Sequence, residues 1–518
     1  MQYLLAALPI LLVLTSMLAF HWGGQLAGPM GWLAGVIVAA LAFGLNLDVF
    51  WVSQLKGLFL SLYVLAVLWP ALFMYNVVDQ IGGIRAIARA LEQTIPDRGI
   101  LLVILAWAFS GMLEGLAGFG LPIAIVAPML VGLGVTPIIA VAAVAVGHAW
   151  SVTFGDMGVI YQTLIAVVKM DGAMLAPATA LMLGITCLLC GLAAARILGY
   201  STRSPQILAL AVLMGGAQYV LALAGVTPLA AFGAGLVGMV GGVLLTKRPK
   251  EHSAEDQGKT EQVGPPDPRQ LNAALASYGA LTLLLTAIAV IDPLHTALNQ
   301  FVWQMQFQQV VTLNGFSTPA GAGQAFRFLT HPGTSIFLIA CVSYLAFRRL
   351  NLAARGGGRT AAAATWRSAA AATWRSAAPA SVGILAMVGL AALMEHSGMT
   401  LLLAQAMSGV MGAVFPIASP YVGMLGAFAT GSNNNSNVLF GVLQKDTALL
   451  VGLDPRVLVA AQTTGGSLGS MIAPAKLIVG CSTVGLKGKD AAVLRATLPY
   501  GLLIGLAMGV FALVLSRL

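Results

Sequence analysis

Two long runs without a charged residue, 4–20 and 58–78, decide what this chain can become. A helix needs about 20 apolar residues to cross about 30 Å of hydrocarbon at about 1.5 Å per residue. Such runs recur along the 518 residues, of which 59% are hydrophobic and only 8% charged, against about 25% charged in a soluble domain. A soluble enzyme is excluded. A membrane barrel would show alternating segments of about ten residues, whereas these runs are continuous. The reading is an all-α polytopic membrane protein. Its 60 glycines and four cysteines fit neither a collagen repeat nor a disulfide scaffold. Cys187 and Cys190 form a C-x-x-C inside the apolar run 175–198, where a thiolate is poorly solvated, so they read as packing residues. The N-terminus has no Lys or Arg before its apolar run and reads as a retained span.

The net charge of +9 is carried by loops. Arg348, Arg349, Arg355, Arg359, Arg367 and Arg375 fall in 348–378 without an acid, and Lys247, Arg248, Lys250, Lys259 and Arg269 fall in 247–270. Loop-confined cations mark cytoplasmic loops, so the charge reads as topology and implies no nucleic-acid partner. Both termini are then expected outside the cytoplasm, in a plasma-membrane protein. The expected organisation is N-terminal spans over 1–57, a first transport repeat over 58–246, a cytoplasmic polar loop over 247–272 and connecting spans over 273–347. A basic cytoplasmic loop over 348–378 and a second repeat with a C-terminal span over 379–518 complete it. Within the basic loop, 361–378 writes ATWRSAA twice, which reads either as a helix lying on the membrane surface with Trp366 and Trp374 at the interface or as a duplicated linker.

Some apolar pieces are short. About 14 residues cover only about 21 Å, so 100–134 and 399–430 are expected to contain re-entrant hairpins or discontinuous helices, covered by protein or lining a watery cavity. A weak internal repeat runs through both regions. Gly134, Pro137, Val141, Ala142 and Gly147 match Gly452, Pro455, Val459, Ala460 and Gly465, and upstream Asp79, Gly82 and Gly115 match Glu395, Gly398 and Gly431. If 79–99 and 348–378 are both cytoplasmic, matched positions face opposite sides. That is an inverted repeat, the mark of many secondary transporters, whose sites lie near the midplane. No phosphate-binding G-x-x-x-x-G-K-[ST] occurs, so ATP drive is not indicated.

Two stretches carry polar chemistry at membrane depth: 111–134 continuing to 147–158, and 430–448 continuing to 460–480. Glu114, His148, Asp156 and Lys476 are bounded by apolar sequence, where a central charge costs about 2.5–3.5 kcal/mol and therefore argues for use. A capping or paired acid is the structural reading of Glu114, and a neutral histidine bonded between helices that of His148. Gly115, Gly118 and Gly120 allow a helix break and a close backbone approach to a ligand, where a half-helix N-terminus favours an anion. Ser432, Asn433, Asn434, Asn435, Ser436 and Asn437 make a poor helix and a poor lipid-facing loop. They read as lining a transport site, or as a polar loop at the membrane surface. Thr463 and Thr464 read either as site hydroxyls or as helix-packing ones.

At these same residues the sequence resembles the lactate permease family. EGLAGFGLPIAI, LVGLGVTP, TGSNNNSNVLFGVLQ, AAQTTGGSLGSMIAP and VGLKGKD look like its signatures in order, over most of 60–505. The resemblance implies proton-coupled import of lactate, glycolate or a related 2-hydroxy acid, an inverted-repeat fold with re-entrant hairpins, and no enzymatic activity or cofactor. Glu114 and Asp156 are then expected to handle the proton. Gly115, Gly118, Gly120, His148, Ser432, Asn433, Asn434, Asn435, Asn437, Thr464 and Lys476 are expected to bind substrate. The chain departs from the family's pattern in His148, Lys476 and in Asn433 or Asn434 where an acid is usual, which makes the expected pocket more cationic. A sodium-coupled carrier of the same fold is the alternative, and a membrane enzyme acting on lipid-linked substrates a third reading. Expected partners are a small carboxylate and the bilayer, with homo-oligomerisation left open.

Overall fold

The computed structural model describes residues 2–20, 22–118, 120–246, 267–350, 352, 366–486 and 489–517. Among them, 11 helices are long and apolar enough to cross a membrane. Most of the expected polar loop, 247–266, and of the expected basic loop, 353–365, lies outside the described residues.

Capping residues start the main helices. Asn46 accepts the N–H of Val49 at 2.9 Å and opens Leu47–Gln80, and Asp97 accepts that of Ile100 at 3.0 Å and opens the helical segment from Arg98. Asp171, Asp267 and Asp454 do the same for Gly172–Leu198, Pro268–Val290 and Pro455–Ile472. Each satisfies backbone donors that a helix start leaves orphaned.

Contacts between elements define two ends of the molecule. At one end, Gln80 bonds Ser368, Arg203 pairs with Asp97 at 2.7 Å, and Gly82 meets Gln270. Arg269, Arg348, Arg349 and Arg367 lie at this end, which we call the loop end. At the other, Asn46 donates to the Val311 carbonyl, Lys169 pairs with Glu395, and Lys445 donates to the Val168 carbonyl. A hairpin ribbon lies here, built from three short antiparallel pairings, 302–303 with 326–327, 306–307 with 321–322 and 310–311 with 317–318. Trp303 and Phe326 of the ribbon pack edge-on against Phe59 and Tyr63.

The two halves repeat element by element. Leu47–Gln80 corresponds to Trp366–His396, and each is followed by a left-handed glycine, Gly82 at φ 75° and Gly398 at φ 82°, that opens a shorter helix, Gly83–Thr94 or Met399–Met411. A hairpin follows in each: Arg98–Leu116 with Leu121–Gly132, and Phe415–Thr430 with Asn433–Val451. Left-handed Gly134 and Gly452 then lead to Pro137–Gly147 and Pro455–Ile472, both with proline at the first helical position. A shorter piece, Val159–Val168 or Pro474–Thr483, and a long helix, Gly172–Leu198 or Asp490–Leu515, complete each half.

The matched helices Leu47–Gln80 and Trp366–His396 run antiparallel. Trp69 and Phe73 pack edge-on against Trp374 and Trp366, while Lys56 reaches His396. The first hairpin therefore enters from the loop end and the second from the ribbon end, giving the inverted repeat. Residues 366–378 correct the expectation of a surface helix: they form the first turns of Trp366–His396, and Trp366 and Trp374 pack on the neighbouring helix through aromatic contacts that lipid cannot supply.

Candidate functional site

The first hairpin is closed at its base by Arg98, whose Nη2 donates to the Leu133 carbonyl at 2.7 Å. A π turn over Leu105–Phe109 widens its first arm, a feature common at functional sites. The arm ends as Ser110–Leu116, with buried Glu114 on its last turn. Gly115 permits contact with the helix Ala230–Thr246, since a Cβ there would lie 2.5 Å from the Phe232 nitrogen. Gly120 takes φ 81° and opens Leu121–Gly132.

Between Pro137–Gly147 and Val159–Val168 the chain unwinds across the middle of the fold and supplies His148 and Asp156. Asp156 and Met157 both have positive φ, 52° and 53°. Non-glycine residues so placed cost about 1–3 kcal/mol each and persist where the surroundings enforce them. Here the strained turn aims the Asp156 carboxylate at the N–H of Gly118, which donates to Oδ1. Gly118 is wedged between acids: a Cβ would lie 2.6 Å from Glu114 Oε1 and 3.0 Å from Asp156 Oδ1.

Glu114 has two basic neighbours. Lys476 Nζ lies 3.5 Å from Oε1, and His148 Nε2 lies 3.9 Å from Oε2. Nδ1 of His148 sits 2.7 Å from the Val144 carbonyl. A carbonyl only accepts, so Nδ1 carries hydrogen, and in neutral imidazole Nε2 is then an acceptor. A carboxylate facing that nitrogen would set two acceptors against each other. The pair is complementary only when one proton sits on either Glu114 or His148.

The run from Ser432 corrects the expectation of a poor helix. Ser432 is the N-cap, accepting from the Asn435 N–H at 3.4 Å, and Asn433–Val451 is helical with all four asparagines buried. Capping by serine converts a polar run into a helix start. Asn433 Nδ2 donates to Thr153 Oγ1, the Thr463 carbonyl and Ser467 Oγ, each at 3.1 Å. This ties the second hairpin to the unwound segment of the first half. Asn437 Nδ2 donates to Thr463 Oγ1 at 2.9 Å. Asn434 has neither amide atom partnered, and Asn435 Oδ1, Thr464 Oγ1 and Ser470 Oγ are likewise unpaired among the described residues.

A cavity of about 350 Å³ gathers Glu114, Asp156, Lys476, Ser432, Asn433, Asn434 and Asn435. His148, Gly115, Gly118, Gly120, Asn437 and Thr464 are not among its walls. His148 and Gly118 touch the acids from behind, Asn437 fixes Thr463, and a Cβ on Gly120 would lie 3.8 Å from the Lys476 side chain. Lys476 is paired with Glu114, so the pocket is less freely cationic than expected. Sequence reasoning missed Ser470, Thr430 and the wall contributed by Gly24, Ser376 and Gly383. Ser470 and Thr430 stand inside the same polar stretches and were legible there. Gly24, Ser376 and Gly383 carry no chemical signal, and only the packing of Gly24–Ala42 on Trp366–His396 brings them in. Among the described residues no group of three or more His, Cys, Asp or Glu could hold a metal ion.

The chain is 26% identical to the glycolate permease GlcA of Escherichia coli strain K12, over 98% of this chain and 95% of that one. It is 26% identical to the L-lactate permease of Bacillus subtilis strain 168, over 96% of this chain and 93% of that one. Among solved structures, the YdaH transporter of Alcanivorax borkumensis aligns at TM-score 0.48 and 18% identity, covering 86% of this chain and 84% of that chain. MtrF of Neisseria gonorrhoeae aligns at TM-score 0.46 and 16% identity, covering 86% and 80%. The family model described as L-lactate permease matches residues 2–518, and the chain belongs to that family.

Proposed function

We propose that this multi-pass membrane protein takes up a small monocarboxylate, lactate, glycolate or a related 2-hydroxy acid, together with a proton. Family membership supports the monocarboxylate. The observation that carries the coupling is Glu114 placed between Lys476 and His148. While Glu114 is charged, it neutralises Lys476. A proton arriving at Glu114 releases the Lys476 ammonium to hold the substrate carboxylate, so proton and anion favour each other's binding by linkage. The unpaired Asn434 amide, Asn435 Oδ1 and the Ser470 hydroxyl line the same cavity and suit the substrate hydroxyl. Asp156, held by Gly118 beside Glu114, is the second proton-handling acid. The loop end, where Arg269, Arg348, Arg349 and Arg367 lie, is read as cytoplasmic on the bias of Lys and Arg toward that side, and both termini as outside.

A sodium-coupled reading draws on one feature. Thr153 Oγ1 sits 3.0 Å from Thr463 Oγ1 and 2.7 Å from Ser467 Oγ, with the Thr463 carbonyl at 3.1 Å, a cluster of neutral oxygens. Uptake of radiolabelled L-lactate and glycolate into proteoliposomes, with pH and sodium gradients imposed separately, decides between them. Accumulation driven by the pH gradient alone is expected, and lost in Glu114→Gln while substrate exchange partly survives. Accumulation that needs sodium and ignores pH would replace the proton reading.

A further inference from the structure

A second cavity, of about 260 Å³, lies at the ribbon end, with Lys56, Lys169, Glu395 and His396 in its walls and Gln304 and 322–325 of the ribbon beside them. It is lined by the same helices as the first, further along each. Leu68 gives way to Leu60 on Leu47–Gln80, Ile160 to Ile165 on Val159–Val168, Ile384 to Val388 on Trp366–His396, and Asn435 to Val438 on Asn433–Val451. Four residues rise about 6 Å along an α-helix. On Trp366–His396, then, about one turn parts the cavities, and the intervening residues include buried Val64, Leu164 and Met387.

The charges in this second cavity are unevenly matched. Lys169 Nζ holds Glu395 Oε1 at 2.6 Å. Lys56 has no carboxylate within ion-pair distance among the described residues. Its Nζ meets His396 Nε2 at 3.1 Å, and His396 Nδ1 donates to the Ala392 carbonyl at 2.8 Å, so the imidazole accepts from Lys56 as the neutral tautomer. The same ammonium stands 5.3 Å from the centre of the Phe307 ring on the ribbon. The walls thus carry two ammonium groups against one carboxylate, in a cleft whose low-dielectric sides focus the field.

We propose that this cavity is the ribbon-end mouth of the substrate path, and that Lys56, with Lys169 beside it, is a docking site for the small carboxylate before it crosses the apolar partition. The direction of travel rests on the transport reading above; the anion site rests on the unmatched ammonium.

Initial uptake of labelled glycolate and L-lactate from the ribbon side, in oriented proteoliposomes, tests the site. Lys56→Gln is expected to raise KM about three- to tenfold, with a smaller change in maximal rate. Lys56→Arg should recover most of the loss, and the difference from wild type should shrink in about 1 M salt, where the Debye length is about 3 Å. An unchanged KM, or a fall in maximal rate alone, overturns the site. A lowered melting temperature in Lys56→Gln that Lys56→Arg restores, without a KM change, also overturns it by making Lys56 structural. If wild-type protein moves neither acid, the transport reading fails by itself. Docking is then read from the labelling of Lys56 by a membrane-impermeant amine reagent: slowing by millimolar glycolate supports the site, and labelling at the same rate overturns it.

Discussion

Glu114 and Lys476 sit 3.5 Å apart in a buried cavity, and neither can be changed without consequence for the other. Removing the ammonium leaves a buried carboxylate uncompensated, a loss of about 3–5 kcal/mol when one partner of a buried pair is deleted. Lys476→Gln should therefore lower the melting temperature in detergent, and Lys476→Gln with Glu114→Gln should recover much of it. In a binding titration Lys476→Gln should weaken the substrate anion by about 2–5 kcal/mol, and the double variant should not regain that affinity. Normal melting together with normal affinity in Lys476→Gln would remove the residue from the mechanism. Glu114, Lys476 and Asp156 were legible because charge inside apolar sequence is costly enough to be conspicuous. His148 was legible as an ionisable group, but its orientation, with Nδ1 committed to the Val144 carbonyl, depends on where the helix stops, and no spacing reveals that.

At the scale of elements, two glycines do the same work in the two halves. A Cβ on Gly147 would lie 1.9 Å from the Ala106 carbonyl oxygen, and one on Gly465 would lie 1.8 Å from that of Pro420. Both obstacles are backbone, so the helices must separate to admit a methyl group. Gly147→Ala and Gly465→Ala should each destabilise by about 1–3 kcal/mol or more, the range for overpacking. Gly216→Ala, where nothing lies within 4 Å, is the control and should melt like wild type. A melt unchanged in Gly465→Ala would show that the two helices do not pack this closely. The repeat that pairs these glycines was readable in the sequence, as were most long spans, because continuous apolar runs need no tertiary information. Other elements were not. Gly83–Thr94 is amphipathic, burying Ile84, Ile87 and Leu91 while exposing Arg85 and Arg89, so a search for apolar runs passes over it. The ribbon's signal was Asn314-Gly315 between Val310–Val311 and Ser317–Thr318, with Gly315 at φ 84°, a hairpin turn overlooked amid helices. Asn433–Val451 hid because asparagine disfavours helix interiors, and the Ser432 cap together with buried partners from Thr153 and Thr463 outweighed that preference.

For the molecule as a whole, the inverted halves fix which surfaces share a side of the membrane. In a variant lacking its native cysteines, Asn314→Cys at the ribbon tip should react with an impermeant maleimide added outside intact cells, whereas Arg367→Cys at the loop end should react only after permeabilisation. Labelling of both from one side would undo the two-ended architecture and the side assignment together. The closed base of the first hairpin also bears on how the chain is made. Arg98 ties the first hairpin shut at the loop end, and its tip carries Glu114 beside Gly118. The polar groups that cover this tip, Lys476 and the Asn433 cluster tied to Thr153, are synthesised long afterwards. A ribosome that has released only the first half has placed a hairpin in the bilayer with a carboxyl group and an unwound segment still lacking their cover. The polar tip of the early hairpin therefore completes its cover only once the second half has been inserted beside it.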